Sequence, residues 1–517
     1  MTVGSIPAAA QIRLPSLGES ASQDLSVGAE RKLGEQIMRE ARRDPAYLDD
    51  PVLLEYVQSI WQPLVAAARQ VGNIDADTDR AFAWEPFLVR DRSVNAFALP
   101  GGFVGAHLGL IALTSTRDQF ASVMAHELSH VTQRHIARSI APQQQASLVA
   151  IAALLLGVLA ASRTSNTDVA NAAMMGGQGA AIQSQLNFSR DMEREADRIG
   201  YGLLASAGFA PAGQAAMFDK LDVANRLNDS GGFPYLRSHP LTVDRISEAR
   251  NRTLLAPATS NQPTLLHALM QARARVLMAE GAQALQRLSG GTSSTLLADR
   301  VAALYAGALS ASLLNDHAVA ERMAAEAIQL AAAAPAAADK PAERVLQLLQ
   351  VQLRLAKGDA PRAWQALDAM RSAPTERPPM LLRAQAALSL QRTDREAAAA
   401  PLRRSTETLQ IWLAEQPNDA AAWEALAATS DALGLRLRSM RAAAEARAAV
   451  GDLTGAIDRL RAAQGNTRTA AGQDFIEASV IDSRMRLFTA QRRQLALEAR
   501  GEGRGRAGPG EEPLPPP

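Results

Sequence analysis

The chain has no cysteine, and aromatic side chains make up only 4% of its 517 residues. Without a thiol there is no disulfide scaffold, thiolate zinc site, cysteine nucleophile or iron–sulfur cluster. The compartment stays open, because a cysteine-free protein works in oxidising and reducing surroundings alike. Few aromatics, set against abundant alanine, favour helices over a β-sandwich. An excess of either charge is lacking too: 54 basic and 53 acidic residues leave a formal net charge of +1. No global field therefore gathers nucleic acid or an anionic membrane surface. Residues 1–24 hold no apolar core and little positive charge, so no signal peptide is visible. The expectation is either a cytoplasmic chain or a mature or trimmed start. One long stretch, Ser139 to Ser162, carries no charge. Its apolar heart, Ala146 to Ala161, is shorter than the roughly 20 residues that span a bilayer. A buried or amphipathic helix is expected there, with a membrane-inserted segment as the alternative.

What is present is enough apolar material for real cores, 47% of residues, which excludes global disorder. At about 150 residues per domain the length allows two to four domains. Helical patterns are expected near residues 27–43 and 50–70, the second opening with Asp50 and then Pro51 at the first helical position. Phe87 to Val89, Ser93 to Leu99 and Phe103 to Ile111 read as strands, the last two separated by a Pro100-Gly101-Gly102 break. This is the only convincing sheet material, so the sheet is small. Asp118 to Ser139 reads as one amphipathic helix, and another runs from about Ser189 to Ala207, where Gly208 ends it. A polar linker at 252–265 marks a domain boundary.

Residues 265–500 are almost wholly helical in pattern and carry a weak internal repeat. Leu314-Asn315-Asp316, Lys357-Gly358-Asp359 and Val450-Gly451-Asp452 are polar turns, each followed by a small residue that lets two helices approach. The stretch from Gly451 to Asp458 looks like the turn and second helix of a tetratricopeptide repeat. The turns at 315, 358 and 451 are unevenly spaced against about 34 residues in a regular array, so the repeats are degenerate. The predicted architecture is mainly α: a helical domain at 27–255 that holds the small β-sheet, then an α-solenoid of degenerate repeats at 265–500. A flexible segment precedes it at 1–26, and a Gly/Pro/Glu-rich disordered tail follows at 501–517.

His126-Glu127-Leu128-Ser129-His130 carries the chemistry. Positions i and i+4 share one helix face, so both imidazoles reach one metal. Glu127 sits beside that face, placed to take a proton from a water that zinc has acidified. His135 falls nine residues after His126, about half a turn out of phase at 100° per residue. It is expected to point away from the metal, into packing or a hydrogen bond behind the site. Two histidines leave room for a third protein ligand, and Glu193 on the later helix is the best candidate. Asp197 lies one turn on, free to hold a histidine N–H. Glu195 is rotated about 200° from Glu193 and is expected to face solvent or an arginine.

These segments, HELSH at 126–130, SRDMEREAD at 189–197 and Ser238-His239-Pro240-Leu241, resemble the gluzincin metallopeptidases that include HtpX and the CAAX prenyl proteases. Within that group the chain is most similar to the periplasmic β-barrel assembly-enhancing proteases. The resemblance implies one zinc ion bound by His126, His130 and Glu193, with Glu127 as general base and Asp197 orienting a ligand imidazole. It also implies that the strand at Asn95, Ala96, Phe97 and Ala98 is an edge strand to which substrate adds main chain to main chain. His239 matches a histidine that can take zinc's fourth position and hold the enzyme inactive, since a fourth protein ligand displaces the reactive water. A donor to the tetrahedral oxyanion, or an ordinary loop histidine, are the competing roles. Arg245 follows on the next helix and is expected to pair with the site. Residues 139–188 would form a helical lid.

Three functions follow as expectations. One is a periplasmic zinc endopeptidase for misfolded or stalled envelope proteins. Its repeats would bind unfolded substrate or the outer-membrane β-barrel assembly machinery, its 139–162 stretch would touch the membrane peripherally, and nucleic acid is no partner. The second is a chaperone or adaptor for outer-membrane protein assembly with little proteolysis, which an intact Glu127 argues against. The third, an integral-membrane protease, needs several apolar spans that the sequence does not offer.

Overall fold

The computed structural model describes residues 25–139, 188–227, 234–255, 263–290, 294–333, 339–370, 376–467 and 475–504. Most of the expected lid, the first 24 residues and the tail from 505 lie outside the described residues. The fold is mainly α with one small sheet and a helical C-terminal region.

The N-terminal part is a three-layer arrangement. Helix α1 (Val27–Ala41) is capped by Ser26, whose side chain accepts from the Ala29 N–H. The short strand β1 (Tyr47–Leu48) leads to α2 (Pro51–Gln70), capped by Asp50 with Pro51 in the first turn. After α3 (Ala76–Ala81) come β2 (Glu85–Val89), β3 (Ala96–Leu99) and β4 (Phe103–His107). The sheet order is β1-β2-β4-β3, with β2 and β4 parallel and the outer pairs antiparallel. Alternation along the strands splits two cores. Phe87, Val89, Leu99 and Phe103 pack against Leu33, Ile37 and Met38 of α1. Leu88, Ala96, Val104 and Ala106 turn to the opposite face and join Ile60, Trp61 and Leu64 of α2 in the main core.

The third expected strand is shorter than its apolar run. It stops at His107, and Leu108–Leu113 is a helix, α4. A short continuous apolar run does not distinguish strand from buried helix. Helix α5 (Arg117–Thr132), capped by Thr116, lies along β3 and carries His126, Glu127 and His130. It does not continue to Ser139 as its pattern suggests. Arg134 takes a left-handed conformation, φ 50°, and α6 (His135–Ser139) starts afresh. The reason is tertiary: the buried Arg134 guanidinium donates to Glu30 Oε2 at 2.9 Å and to the Leu25 carbonyl.

Helix α7 (Arg190–Ser206), capped by Ser189, packs directly on α5. The two helices come close at Gly200, where a Cβ would meet the Ala125 carbonyl carbon and His126 nitrogen at 3.2 Å. Then come α8 (Ala212–Leu227), the single turn α9 (Tyr235–Ser238) and α10 (Val243–Leu255).

From Leu265 onward the described chain is helical: α11 (Leu265–Leu277), α12 (Gly281–Leu288), α13 (Leu297–Leu313), α14 (His317–Ala332), α15 (Lys340–Lys357) and α16 (Ala360–Ala369). It continues with α17 (Arg377–Thr393), α18 (Arg395–Glu415), α19 (Ala420–Ala432), α20 (Arg436–Ala449), α21 (Leu453–Thr467) and α22 (Phe475–Arg504). From α13 to α22 each helix packs on its sequence neighbour, and α13, α15, α17 and α20 also pack on the next but one, the contact pattern of stacked helical pairs. The turns at Asn315, Gly358 and Gly451 have positive φ. Further turns at Asp394 and Gly434 fall in the interval the sequence pattern leaves blank.

The helical array is fastened to the N-terminal part at both ends. Helix α11 packs on α4 and α2, and the main core runs continuously through Leu269, Tyr305 and Leu349. Arg273 grips the buried Asp50 through Nε and Nη2 at 2.7 and 2.6 Å. Farther along, Arg377 donates to Asp49. Near the far end, Arg43 donates to the Gly451 carbonyl, and Gly451 lies against the Arg39 side chain.

Candidate metal centre

Four buried side chains from three segments converge behind β3. His126 and His130 project from α5, Glu193 from the first turn of α7, and His239 follows α9. The Nε2 atoms of His126 and His130 are 3.0 Å apart. His239 Nδ1 lies 3.3 Å from His126 Nε2 and 2.9 Å from Glu193 Oε1. Glu193 also reaches His126 and His130 at 3.4 Å. One donor atom from each residue fits within 4.8 Å of all the others, so the group could hold one metal ion.

The donor chemistry fits such an ion. Three imidazoles and a carboxylate crowd their lone pairs together away from water, and nitrogen and oxygen donors in this number suit a divalent cation. Glu127 stands beside the cluster, fully buried, and neither of its carboxylate oxygens has a hydrogen-bond partner among the described residues. Its Oε1 is 3.5 Å from His239 Nε2. A buried carboxylate left unsatisfied is costly, and it is placed to accept a proton.

The outer contacts fix the inner ones. Asp197 Oδ1 lies 2.9 Å from His126 Nδ1, although not in line with the ring N–H. Arg245 holds Asp197 from behind through two bonds and reaches Glu193 Oε2 at 2.8 Å and the Pro240 carbonyl at 2.8 Å. On the other side, His130 Nδ1 and His135 Nδ1 are 2.8 Å apart, and His135 Nε2 is 3.1 Å from Glu195 Oε2. The hydrogen-bond network assigns the tautomers: His130 donates to His135, which donates to Glu195, leaving His130 Nε2 free for a metal. Glu195 also accepts from Arg138.

Charge follows this geometry. Burial opposes protonation of His126, but Asp197 and Glu193 outweigh it and push the imidazole up to about 10. Burial dominates at His130 and holds it well below the ordinary histidine value. Burial alone would raise Glu193 and Asp197. His239 and the two α5 histidines nevertheless keep Glu193 well below the carboxylate range, and Arg245 and His126 bring Asp197 to about 2. The cluster therefore keeps Glu193 and Asp197 ionised.

Each site residue named from the sequence has a place here. His126, His130, Glu193 and His239 are together, Glu127 is beside them, and Asp197 and Arg245 stand behind. His135 lies behind His130, though the phase argument for it does not apply, because the helix breaks before it. Ala96, Phe97 and Ala98 lie on β3, the last strand of the sheet, with Asn95 just before it. Two aromatic neighbours escaped the sequence reading. Phe188 stacks on His130 with centroids 4.0 Å apart, and Tyr235 packs on His239 at 4.7 Å and edge-on to His126 at 6.4 Å. Their only sequence signals are Phe188's place beside the Ser189 cap and Tyr235's place four residues before His239.

Residues 55–253 match peptidase family M48. The chain carries a peptidase family M48 domain. A protein of Vibrio cholerae, named provisionally as a β-barrel assembly-enhancing protease, is 39% identical over 273 residues, 52% of this chain and 54% of that one. The β-barrel assembly-enhancing protease of Escherichia coli K12 is 35% identical over 255 residues, 49% of this chain and 50% of its own length. In both, the match spans about half the relative's length. The protein of that name from Yersinia pestis is 29% identical over 496 residues, 94% of each chain. Among the described residues, no helix of the M48-bearing chain is long and apolar enough to cross a membrane.

Proposed function

We propose that the chain is a zinc-dependent endopeptidase that hydrolyses peptide bonds of misfolded or stalled envelope proteins. The observation that carries this is the buried Glu127, without a hydrogen-bond partner among the described residues, beside three imidazoles and Glu193. A purely structural metal site needs no such base. Zinc, when bound by His126, His130 and Glu193, supplies Lewis acidity that makes a water nucleophilic near neutral pH and polarises the scissile carbonyl. Glu127 takes the proton of the attacking water and passes it to the leaving amine. Asp197, fixed by Arg245, orients His126, and His135 orients His130.

In this reading His239 is a fourth, inhibitory ligand. Its Nδ1 lies among the other donor atoms, 3.3 Å from His126 Nε2. An oxyanion donor would stand off that convergence point, toward the substrate. Extended, unfolded chain would bind at the β3 edge. The helical array would recruit substrate or the outer-membrane β-barrel assembly machinery. The names of the relatives support that setting and a periplasmic location.

Purified protein is expected to contain one zinc per chain and to degrade an unfolded protein such as casein in a chelator-sensitive way. Glu127→Gln should keep the zinc and lose the cleavage. A Glu127→Gln protein that retains full function in β-barrel assembly, with no cleavage by the unmutated chain, would favour an adaptor instead.

A further inference from the structure

The free edge of β3 and the histidine gate are joined by backbone. The His107 N–H donates to the Asn95 carbonyl at 3.0 Å, and Phe97 and Leu99 pair with Gly105 and Phe103 of β4. Asn95, Phe97 and Leu99 therefore turn their backbone groups toward β4. By the two-residue alternation of a strand, Val94, Ala96 and Ala98 turn theirs to the opposite side, where Val94 and Ala96 are buried and Ala98 is partly exposed. No strand among the described residues pairs with that side.

One of the outward groups is already taken. The Tyr235 N–H donates to the Val94 carbonyl at 3.3 Å. Pro234, just before it, has no N–H to offer. The Tyr235 carbonyl in turn accepts from the His239 N–H at 2.8 Å, closing the single turn of α9. The Tyr235 ring, 2% exposed, lies against the His239 imidazole at 30° between planes. His239 is thus held by a turn whose first amide is spent on the edge where substrate would add.

We infer that Tyr235 is a positioning residue that makes His239 ligation and full occupation of the β3 edge mutually exclusive. The inference rests on the protease reading above and adds a substrate rule to it. A short peptide pairs at Ala98, the partly exposed end of that side, and leaves the gate shut. A longer extended segment pairs with Val94 as well, displaces the Tyr235 amide, and carries His239 away from the donor cluster. The enzyme would then open to strand-forming, unfolded chain and stay closed to small peptides.

The test uses the full-length Glu127→Gln chain with cobalt(II) in place of zinc, titrated with Val/Thr-rich peptides of about three and about eight residues. The longer peptide should shift the visible cobalt spectrum, through loss of an imidazole ligand. It should also speed amide exchange at Tyr235 by about tenfold or more, while the shorter peptide does neither. Tyr235→Ala should show the shifted spectrum without peptide. Tyr235→Phe, which keeps the ring and the amide, should behave as the parent. A spectrum that responds equally to both peptides, or a Tyr235 amide that stays protected when the long peptide binds, overturns the inference while leaving the protease reading intact. Failure of His126→Ala to alter the cobalt spectrum overturns the reading and the inference together. The exchange measurement needs no change at Tyr235, so a misfolded Tyr235→Ala does not remove the test.

Discussion

Arg245 grips Asp197 through a fork, Nε to Oδ2 at 2.6 Å and Nη2 to Oδ1 at 2.9 Å, with both side chains almost fully buried. That pair fixes the carboxylate facing His126 from a helix well separated in sequence. An arginine can do this because its guanidinium matches a carboxylate bidentately. Arg245→Met should therefore lower metal affinity by about 10- to 100-fold, as lost support behind a ligand usually does. Arg245→Lys should recover only part of it, because a point charge cannot make the fork. Competition with a calibrated chelator measures both. Unchanged affinity in Arg245→Met would remove Arg245 from the site.

The opposite flank makes a separate prediction. His135 bridges His130 and Glu195, so His135→Ala frees the His130 ring to rotate and should cost about tenfold in metal affinity. Glu195→Gln should cost less, since Glu195 is partly exposed and its end of the chain is already shared with Arg138. The same chelator assay ranks the two, and the reverse order would mean that His135 only fills space.

Acid should loosen the join between the protease domain and the helical array. His267 on α11 is buried, with Nδ1 2.5 Å from the Tyr56 hydroxyl and Nε2 2.9 Å from the Thr114 carbonyl. That arrangement holds the ring neutral, and burial brings its pKa down to about 4. Unfolding restores the ordinary value near 6.5, so between these values the unfolded chain binds the extra proton. The stability His267 contributes is complete above about pH 6.5 and is lost as pH falls toward 4, by roughly 3 kcal/mol at most. Thermal melts of the parent and His267→Gln should converge over that window. Parallel curves would show that His267 titrates normally.

At the same join, Arg273→Met leaves Asp50 buried without its partner, although Asp50 still caps α2 through the Leu53 N–H. Removing one member of a buried ion pair costs about 3–5 kcal/mol. Because the main core runs through both parts, the protein should melt in one transition, and the variant should lower it for both. A variant that unfolds the helical array alone, with the metal site intact, would show that the two parts are energetically separate.

The parts of this structure that local chemistry dictates were readable in the sequence. The cap at Asp50 accepts from the amide three residues on, and the i, i+4 pairs His126/His130 and Glu193/Asp197 follow from helical pitch. What escaped was set by distant contacts. The break at Arg134 depends on Glu30 and the Leu25 carbonyl, more than 100 residues away in sequence. The helix at 108–113 hides in an apolar run that suits a strand equally well. The turn at Asp394 lacks the Gly-Asp pair present at 358–359 and 451–452. Tyr235 carries no motif, and its place beside His239 appears only when α9 is folded against Val94.

The most direct test of the central claim is casein degradation by the zinc-loaded parent, His239→Ala and Glu127→Gln side by side. The account predicts faster cleavage by His239→Ala than by the parent, and none by Glu127→Gln, with zinc content equal in all three. An active parent beside an inactive His239→Ala would contradict it and make His239 part of the catalytic machinery rather than its gate.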